Sequence, residues 1–289
     1  MSMRIGGALV AVVVAAALVS LAYTPYPPNA ADFLNRLAPP SRAHPLGTDH
    51  FGRDVLSRVL VGAQNALWVG MVAVSIGLGL GLALGVVCGW VGGWWDRLVS
   101  AALDALYAFP ALLLALLLAS AWGPGETSSM VAVGLSTVPA FFRVARAAVL
   151  ATKPQPYVDA ARALGASPAR ILRRHVLPNI LPPLVIQSSL AFGSALLAEA
   201  ALSYLGLGTQ PPHPSWGRML REAQSFLALS PYPALFPGMA IAISVLGFNL
   251  LGDGLRDVMD PARRAPRRPG RRGAGRAGGE GGRPDGKLS

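Results

Sequence analysis

A single cysteine, Cys88, stands among 289 residues. One thiol forms no intramolecular disulfide framework and no multi-cysteine zinc or iron–sulfur site, so scaffolds and redox chemistry built on them are excluded. Charge is scarce as well. Asp, Glu, Lys and Arg make up 13% of the chain, where an ordinary soluble domain carries about 25%. Acidic residues number only 14 against 25 Lys and Arg. No catalytic triad or metal-hydrolase motif occurs. Apolar side chains, by contrast, reach 53% and the mean hydropathy is +0.47. That excess rules out a disordered chain and most soluble folds, because so much apolar surface must meet lipid or itself. The net charge of +11 is compatible with nucleic acid, anionic lipid or membrane topology as its cause, and its distribution decides between them.

The last 29 residues, 261–289, hold nine basic side chains against Glu280 and Asp285, which places +7 of the +11 there and leaves +4 for the rest. The segment has no apolar periodicity and cannot bury enough surface to offset ordering entropy, which predicts a disordered basic tail. Gly281, Gly286 and Lys287 have the spacing of a phosphate-binding loop, but Leu288 stands where Ser or Thr is required and no strand precedes it. The chain is therefore expected to bind neither nucleotide nor nucleic acid.

Six apolar runs follow one another: Ile5–Ala22, Leu67–Trp90, Val99–Ala121, Met130–Leu150, Ile180–Leu205 and Ala234–Leu251. Each approaches or exceeds the roughly 20 residues a helix needs to cross hydrocarbon. The first run exceeds a signal-peptide core, which favours an uncleaved span. The expected fold is all-α, a polytopic membrane protein with six transmembrane helices. With the N-terminus inside, 19 Lys and Arg fall on the cytoplasmic side and 6 outside, so both termini are expected in the cytoplasm.

Within the spans, Gly77, Gly81, Gly85, Gly89 and Gly93 recur every fourth residue, a side-chain-free stripe against which another helix can pack closely. Pro110 and Pro139 are expected to interrupt and kink the third and fourth spans. Asp104, Glu199 and Asn249 lie deepest in apolar context. A charge at the bilayer centre costs about 2.5–3.5 kcal/mol on insertion scales, so each should face protein or a water-filled path. An interhelical hydrogen bond is favoured over substrate contact.

The loop between the fourth and fifth spans specifies two short helices. The first runs from about Tyr157 to Leu164, with Asp159 in its first turn, and stops at Gly165, which takes the left-handed conformation without strain. Ser167 as N-cap and Pro168 at N1 open the second, whose end carries Arg170, Arg173 and Arg174 before Pro178 closes it. Ala160, Ala161 and Gly165 keep the unit slim enough to enter a groove on another protein.

Asp159-Ala160-Ala161, Gly165, then His175-x-Leu177-Pro178 resembles the EAA loop of ABC-transporter permeases, departing from it at Asp159 and His175. The segments His44–Arg58, Gly92–Arg97, Ala198–Gly208, Pro214–Gly217 and Phe248–Asp257 extend the resemblance over about residues 5–261, to the C-type permease of dipeptide, oligopeptide and nickel importers. That resemblance implies the ABC importer permease fold and a transport subunit with no enzyme activity. The implied organisation is a first helix and extracytoplasmic loop at 1–66, a core at 67–260 with the coupling loop 151–178, and the tail at 261–289. Tyr157, Asp159, Ala160, Ala161, Leu164, Gly165, His175, Leu177 and Pro178 would form the ATPase-coupling loop. The implied partners are a homologous permease, two ATP-binding cassette subunits and an extracytoplasmic solute-binding protein, within the lipid bilayer of the inner membrane. ATP and Mg2+ would sit on partner subunits, with no cofactor on this chain. Peptides are the expected cargo and nickel or a chelated metal the alternative. The alternative of a different class, an ion-coupled carrier or channel, would not need the docking loop and would instead concentrate acidic residues in its spans. His44, Asp49, His50 and Asp54 could suggest an outer metal site, but they coincide with the family motif and are expected to fold against the second span or meet the binding protein.

Overall fold

The computed structural model describes residues 2–259; the basic tail predicted at 261–289 lies outside them. Among the described residues there is no β-strand, only an isolated bridge between Thr48 and Asp54. Ten helices follow in order: α1 Ser2–Ala22, α2 Val55–Val91, α3 Gly93–Ala108, α4 Ala111–Trp122, α5 Glu126–Thr152, α6 Pro156–Ala163, α7 Pro168–Ile171, α8 Leu177–Leu205, α9 Trp216–Ala223 and α10 Tyr232–Met259. Five segments are long and apolar enough to cross a membrane, and α3 and α4, bent against each other, pass the same test only when the two are taken together as one span. The small helices α6, α7 and α9 lie in the two longest connections among the last four spans.

The third span is not the kinked helix expected over Val99–Ala121. Two helices meet there at 91°. The cause is local: Phe109, the residue before Pro110, is held extended at φ −81°, ψ 121° by the proline ring. Its N–H closes α3 on Leu106 O, and the Pro110 carbonyl opens α4 by accepting from Leu113 N and Leu114 N. Pro139 behaves differently, because α5 runs unbroken through it. Val138, Phe141 and Phe142 beside it are all buried, so packing on neighbouring helices holds α5 in register. The second short helix also departs from expectation. Pro178 does not close it; α7 passes through a π-helical turn, Leu172–Val176, straight into α8. Leu177 N reaches back five residues to Leu172 O, a widened turn that carries Pro178 in the first turn of α8, where its missing N–H is tolerated. Arg170, Arg173 and Arg174 therefore lie inside a continuous helical segment and not at a free C-terminal end.

Candidate functional site

The glycine stripe decides how α2 meets α5. A Cβ on Gly81 would stand 2.5 Å from Phe141 Cβ and 2.8 Å from Val138 O; one on Gly85 would stand 2.7 Å from both Ala145 Cβ and Phe142 O. Gly77 faces Thr137, Gly89 faces Val149, and Gly134 on α5 reciprocates by receiving Ile76. The two helices thus touch along about three helical turns, the small-residue packing available in lipid. Gly93 does not belong to this seam. The helix ends at Val91, Gly92 and Gly93 both take positive φ, and nothing approaches either within 4 Å.

At the foot of this seam sits the loop between α5 and α8. Helix α6 ends in a Schellman motif: Ala166 N bonds Ala161 O and Gly165 N bonds Arg162 O, with Gly165 at φ +77°. Ser167 Oγ accepts from Arg170 N at the start of α7. Val158, Ala161, Ile171, Val176 and Ile180 turn inward and join Phe141, Ala145 and Val149 in one apolar cluster. Outward face Tyr157, Ala160 and Leu164, the last 88% exposed, with Asp159 paired to Arg162 at 3.0 Å. Asn179 clamps the two halves, donating to Tyr157 Oη at 3.1 Å and to the His175 carbonyl at 2.6 Å. Leu177 is half-buried and Pro178 exposed at that junction.

Contacts that sequence reasoning missed tie this loop to neighbouring helices. Lys153 Nζ donates to Trp90 O at 2.6 Å, capping the end of α2, and Arg162 lies over the Trp90 ring. Arg146 on α5 grips Asp96 on α3 with two 2.6 Å bonds. Asp96 follows the Trp94-Trp95 pair in sequence, a usable signal, but only the fold reveals a partner 50 residues away.

The polar residues expected deep in the spans separate into different environments. Asp104 is exposed and pairs with Arg143 at 2.8 Å across α3 and α5. Glu199 is buried and accepts from Ser203 Oγ at 2.6 Å and Thr209 Oγ1 at 3.4 Å; Asn65 of α2 donates to Thr209 Oγ1. Asn249 lies against Gly193, so α10 approaches α8 there.

At the opposite end of α2, a second polar assembly binds the α1–α2 connection to α9. Asp54 caps α2 by accepting from Ser57 N at 2.7 Å and pairs with His44 at 3.0 Å. Asp49 accepts from Phe51 N, Arg53 N and Arg53 Nε. Glu222 on α9 holds Arg53 at 2.6 Å, Arg58 at 3.2 Å and Arg218 at 2.8 Å. Burial raises the Glu222 pKa, but the guanidiniums of Arg58, Arg53 and Arg218 outweigh it and hold the carboxyl below its ordinary value. Burial pushes His50 down. Asp49, His50 and Glu222 could offer ligand atoms within 4.8 Å of one another, yet both carboxylates are engaged by arginines, which suits an ion-pair lock better than a cation site. Trp216 completes the lock by inserting against Gly62 and donating to Val59 O at 3.0 Å.

Comparison with known proteins gives this arrangement a family. Residues 81–265 match the model of the binding-protein-dependent transport system inner membrane component. A peptide transport system permease protein of Brucella suis biovar 1 is 45% identical over 260 residues, covering 90% of this chain and 88% of that one. The glutathione transport system permease protein GsiD of Shigella flexneri serotype 5b is 48% identical over 233 residues, 81% of this chain and 77% of that one. Among solved structures, a chain of the MetNI methionine ABC transporter, inward facing, superimposes with a TM-score of 0.57 at 21% identity, covering 70% of this chain and 96% of that chain; at that identity the likeness concerns the fold. Multiple apolar helices, a shared fold and relatives of this similarity make the chain a multi-pass permease subunit, with ATP hydrolysis in separate subunits, and it belongs to the family of binding-protein-dependent transport system inner membrane components.

Proposed function

We propose that this permease pairs with a homologous permease and imports short peptides by alternating access, driven by two ATP-binding cassette subunits that dock on loop 151–178. One observation carries the coupling assignment. Helix α6 is two-faced: Val158 and Ala161 are fixed in the cluster that packs the α2–α5 seam, while Tyr157, Ala160 and Leu164 stand exposed. A partner that moves the exposed face moves the seam with it, so nucleotide-driven closure of the ATPases biases a bistable helix bundle. His175, Leu177 and Pro178 lie where the loop enters α8 and transmit the same motion.

The Lys and Arg distribution puts both termini and this loop in the cytoplasm, and the ion-pair lock then faces the solute-binding protein outside. ATP and Mg2+ belong to the ATPases. Relatives named for peptide and glutathione transport support a short-peptide cargo and disfavour nickel. Leu164→Arg tests the assignment, because a residue 88% exposed can be replaced without disturbing the core. In proteoliposomes with the full importer, ATPase stimulation and peptide uptake should both fall to background while membrane insertion is kept. Wild-type stimulation would refute the docking role.

A further inference from the structure

A pocket of about 350 Å³ opens between the end of α8 and helix α9, with Ser203, Gly206, Thr209, Gln210, Arg218 and Arg221 among its walls. Its charge is unbalanced. Arg218 and Arg221 are three residues apart on α9, so their side chains emerge on neighbouring faces. The one acid in the wall, Glu222, already serves Arg53 and Arg58 as well as Arg218. Arg218 spends its Nε on Glu222 and keeps a buried Nη1 with no acceptor. Arg221 makes no hydrogen bond or ion pair among the described residues, and its guanidinium lies against Gly206, where a Cβ would collide with it. Gly206 is at φ +85°, so the chain turns there in a conformation that glycine adopts freely, and the missing side chain leaves room for the guanidinium.

Two other features remove competitors for an anion. The carbonyls at the end of α8 would repel one, but Gln210 Nε2 bonds Gly206 O and Gly208 O at 3.0 Å each. Glu199 lies below the wall with its carboxyl bonded to Ser203 and Thr209. What remains is a recess walled by two guanidiniums, that of Arg221 without a hydrogen-bond partner among the described residues, chemistry suited to a planar carboxylate accepting charge-assisted hydrogen bonds.

We infer that this pocket binds the carboxylate of a peptide as it enters the permease from outside. The inference rests on the peptide-import reading and its orientation, and adds the chemical group recognised. Gly206, Arg218 and Arg221 would then set a preference for free carboxyl termini or acidic side chains that is separate from the solute-binding protein's own.

The test uses the full importer in nanodiscs, without solute-binding protein, and two probes: alanylalanine and its C-terminal amide. The dipeptide should bind about tenfold or more tightly than the amide, the size expected from one charged hydrogen bond. Arg221→Gln should erase that difference, and Arg42→Gln, which removes the same charge from an exposed site elsewhere on that end of the molecule, should preserve it. Equal binding of acid and amide, or no binding of either, overturns the inference. A second measurement separates sources of carboxylate: affinity of the importer for its solute-binding protein. If Arg221→Gln weakens that association and leaves dipeptide binding intact, the arginines hold an acidic side chain of the binding protein and the inference is wrong. ATP-dependent uptake of a peptide mixture distinguishes the two levels: carboxylate binding without uptake overturns the import reading alone, while uptake with no acid preference overturns only the pocket.

Discussion

Adding one methyl group at Gly81 tests the α2–α5 seam most directly. Its Cβ would lie 2.5 Å from Phe141 Cβ, 2.8 Å from Phe142 N and 2.8 Å from Val138 O. Two of these three are backbone atoms, which cannot rotate away. Restoring an ordinary contact of 3.4 Å requires the helices to part by about 0.6–0.9 Å at that point. A gap of that size forfeits roughly a quarter to a half of each dispersion contact it opens, and overpacking of this kind costs about 1–3 kcal/mol. Gly→Ala also gains up to about 1 kcal/mol of helix propensity, so the proper reference is Gly79→Ala, on the same helix, with nothing within 4 Å. Gly81→Ala should melt roughly 2–12 °C below Gly79→Ala if 1 kcal/mol corresponds to about 2–4 °C at this size. Gly85→Ala should behave like Gly81→Ala, and the double variant should lose less than the sum, since one displacement of α5 relieves both clashes. The assay is the fraction of purified importer that stays assembled on size exclusion after heating in detergent. If Gly81→Ala and Gly79→Ala melt together, the seam is looser than these contacts state and the reasoning fails.

Two further outcomes follow from the ends of the molecule. Gly165 sits at φ +77° with open space around it, so Gly165→Ala adds strain of about 1–2 kcal/mol and no clash; amide hydrogen exchange across 160–166 should accelerate and ATPase stimulation should fall, whereas Gly165→Asn, which tolerates the left-handed region, should retain most of both. The Glu222 carboxyl is held below its ordinary value, so its contribution to stability is complete above the ordinary glutamate range and is lost as pH falls through the depressed folded value. The melting temperature of the wild type should therefore drop more steeply on acidification than that of Glu222→Gln. Burial pushes the His50 pKa down and Glu222 pushes it up, so both proteins are compared in a His50→Asn background, where parallel slopes would show that the ion-pair lock does not titrate as stated.

The parts legible in the sequence are those whose cause is local. Gly165 places the end of α6, and Ser167 and Pro168 the start of α7, within one residue because capping acts over three or four positions. The four-residue spacing of Gly77–Gly89 announces a close helix contact, though it does not say that α5 is the partner. Gly93 looked like a fifth member of that stripe because periodicity cannot detect that the helix has already ended at Val91. Pro110 and Pro139 look alike in sequence and differ in outcome, since α5 continues through Pro139 among buried side chains while Leu112 and Leu113 beyond Pro110 stand exposed. Pro178 misled for the same reason, its missing N–H being absorbed by a π turn. The Arg53, Arg58 and Glu222 assembly was invisible because its members lie 164–169 residues apart.

One helix connects all of these features. At 37 residues, α2 is about 55 Å long, beyond what hydrocarbon alone requires. Asp54 caps it at one end, beside the Arg58–Glu222 lock, and Lys153 caps it at the other through Trp90. Between these ends the glycines fix it to α5. The loop that follows α5 is packed into the same apolar cluster, so a force on α6 acts on α2 and α5 as one body, without a soft joint in between. The α3–α4 connection is built differently: at Phe109–Pro110 the two helices meet at 91°, and the backbone hydrogen bonds there end one helix and begin the next. In the proposed cycle, displacement at the ATPase end therefore reaches α9 and the arginine pocket along α2, which the glycine seam ties to α5 and Trp216 ties to α9 at Gly62.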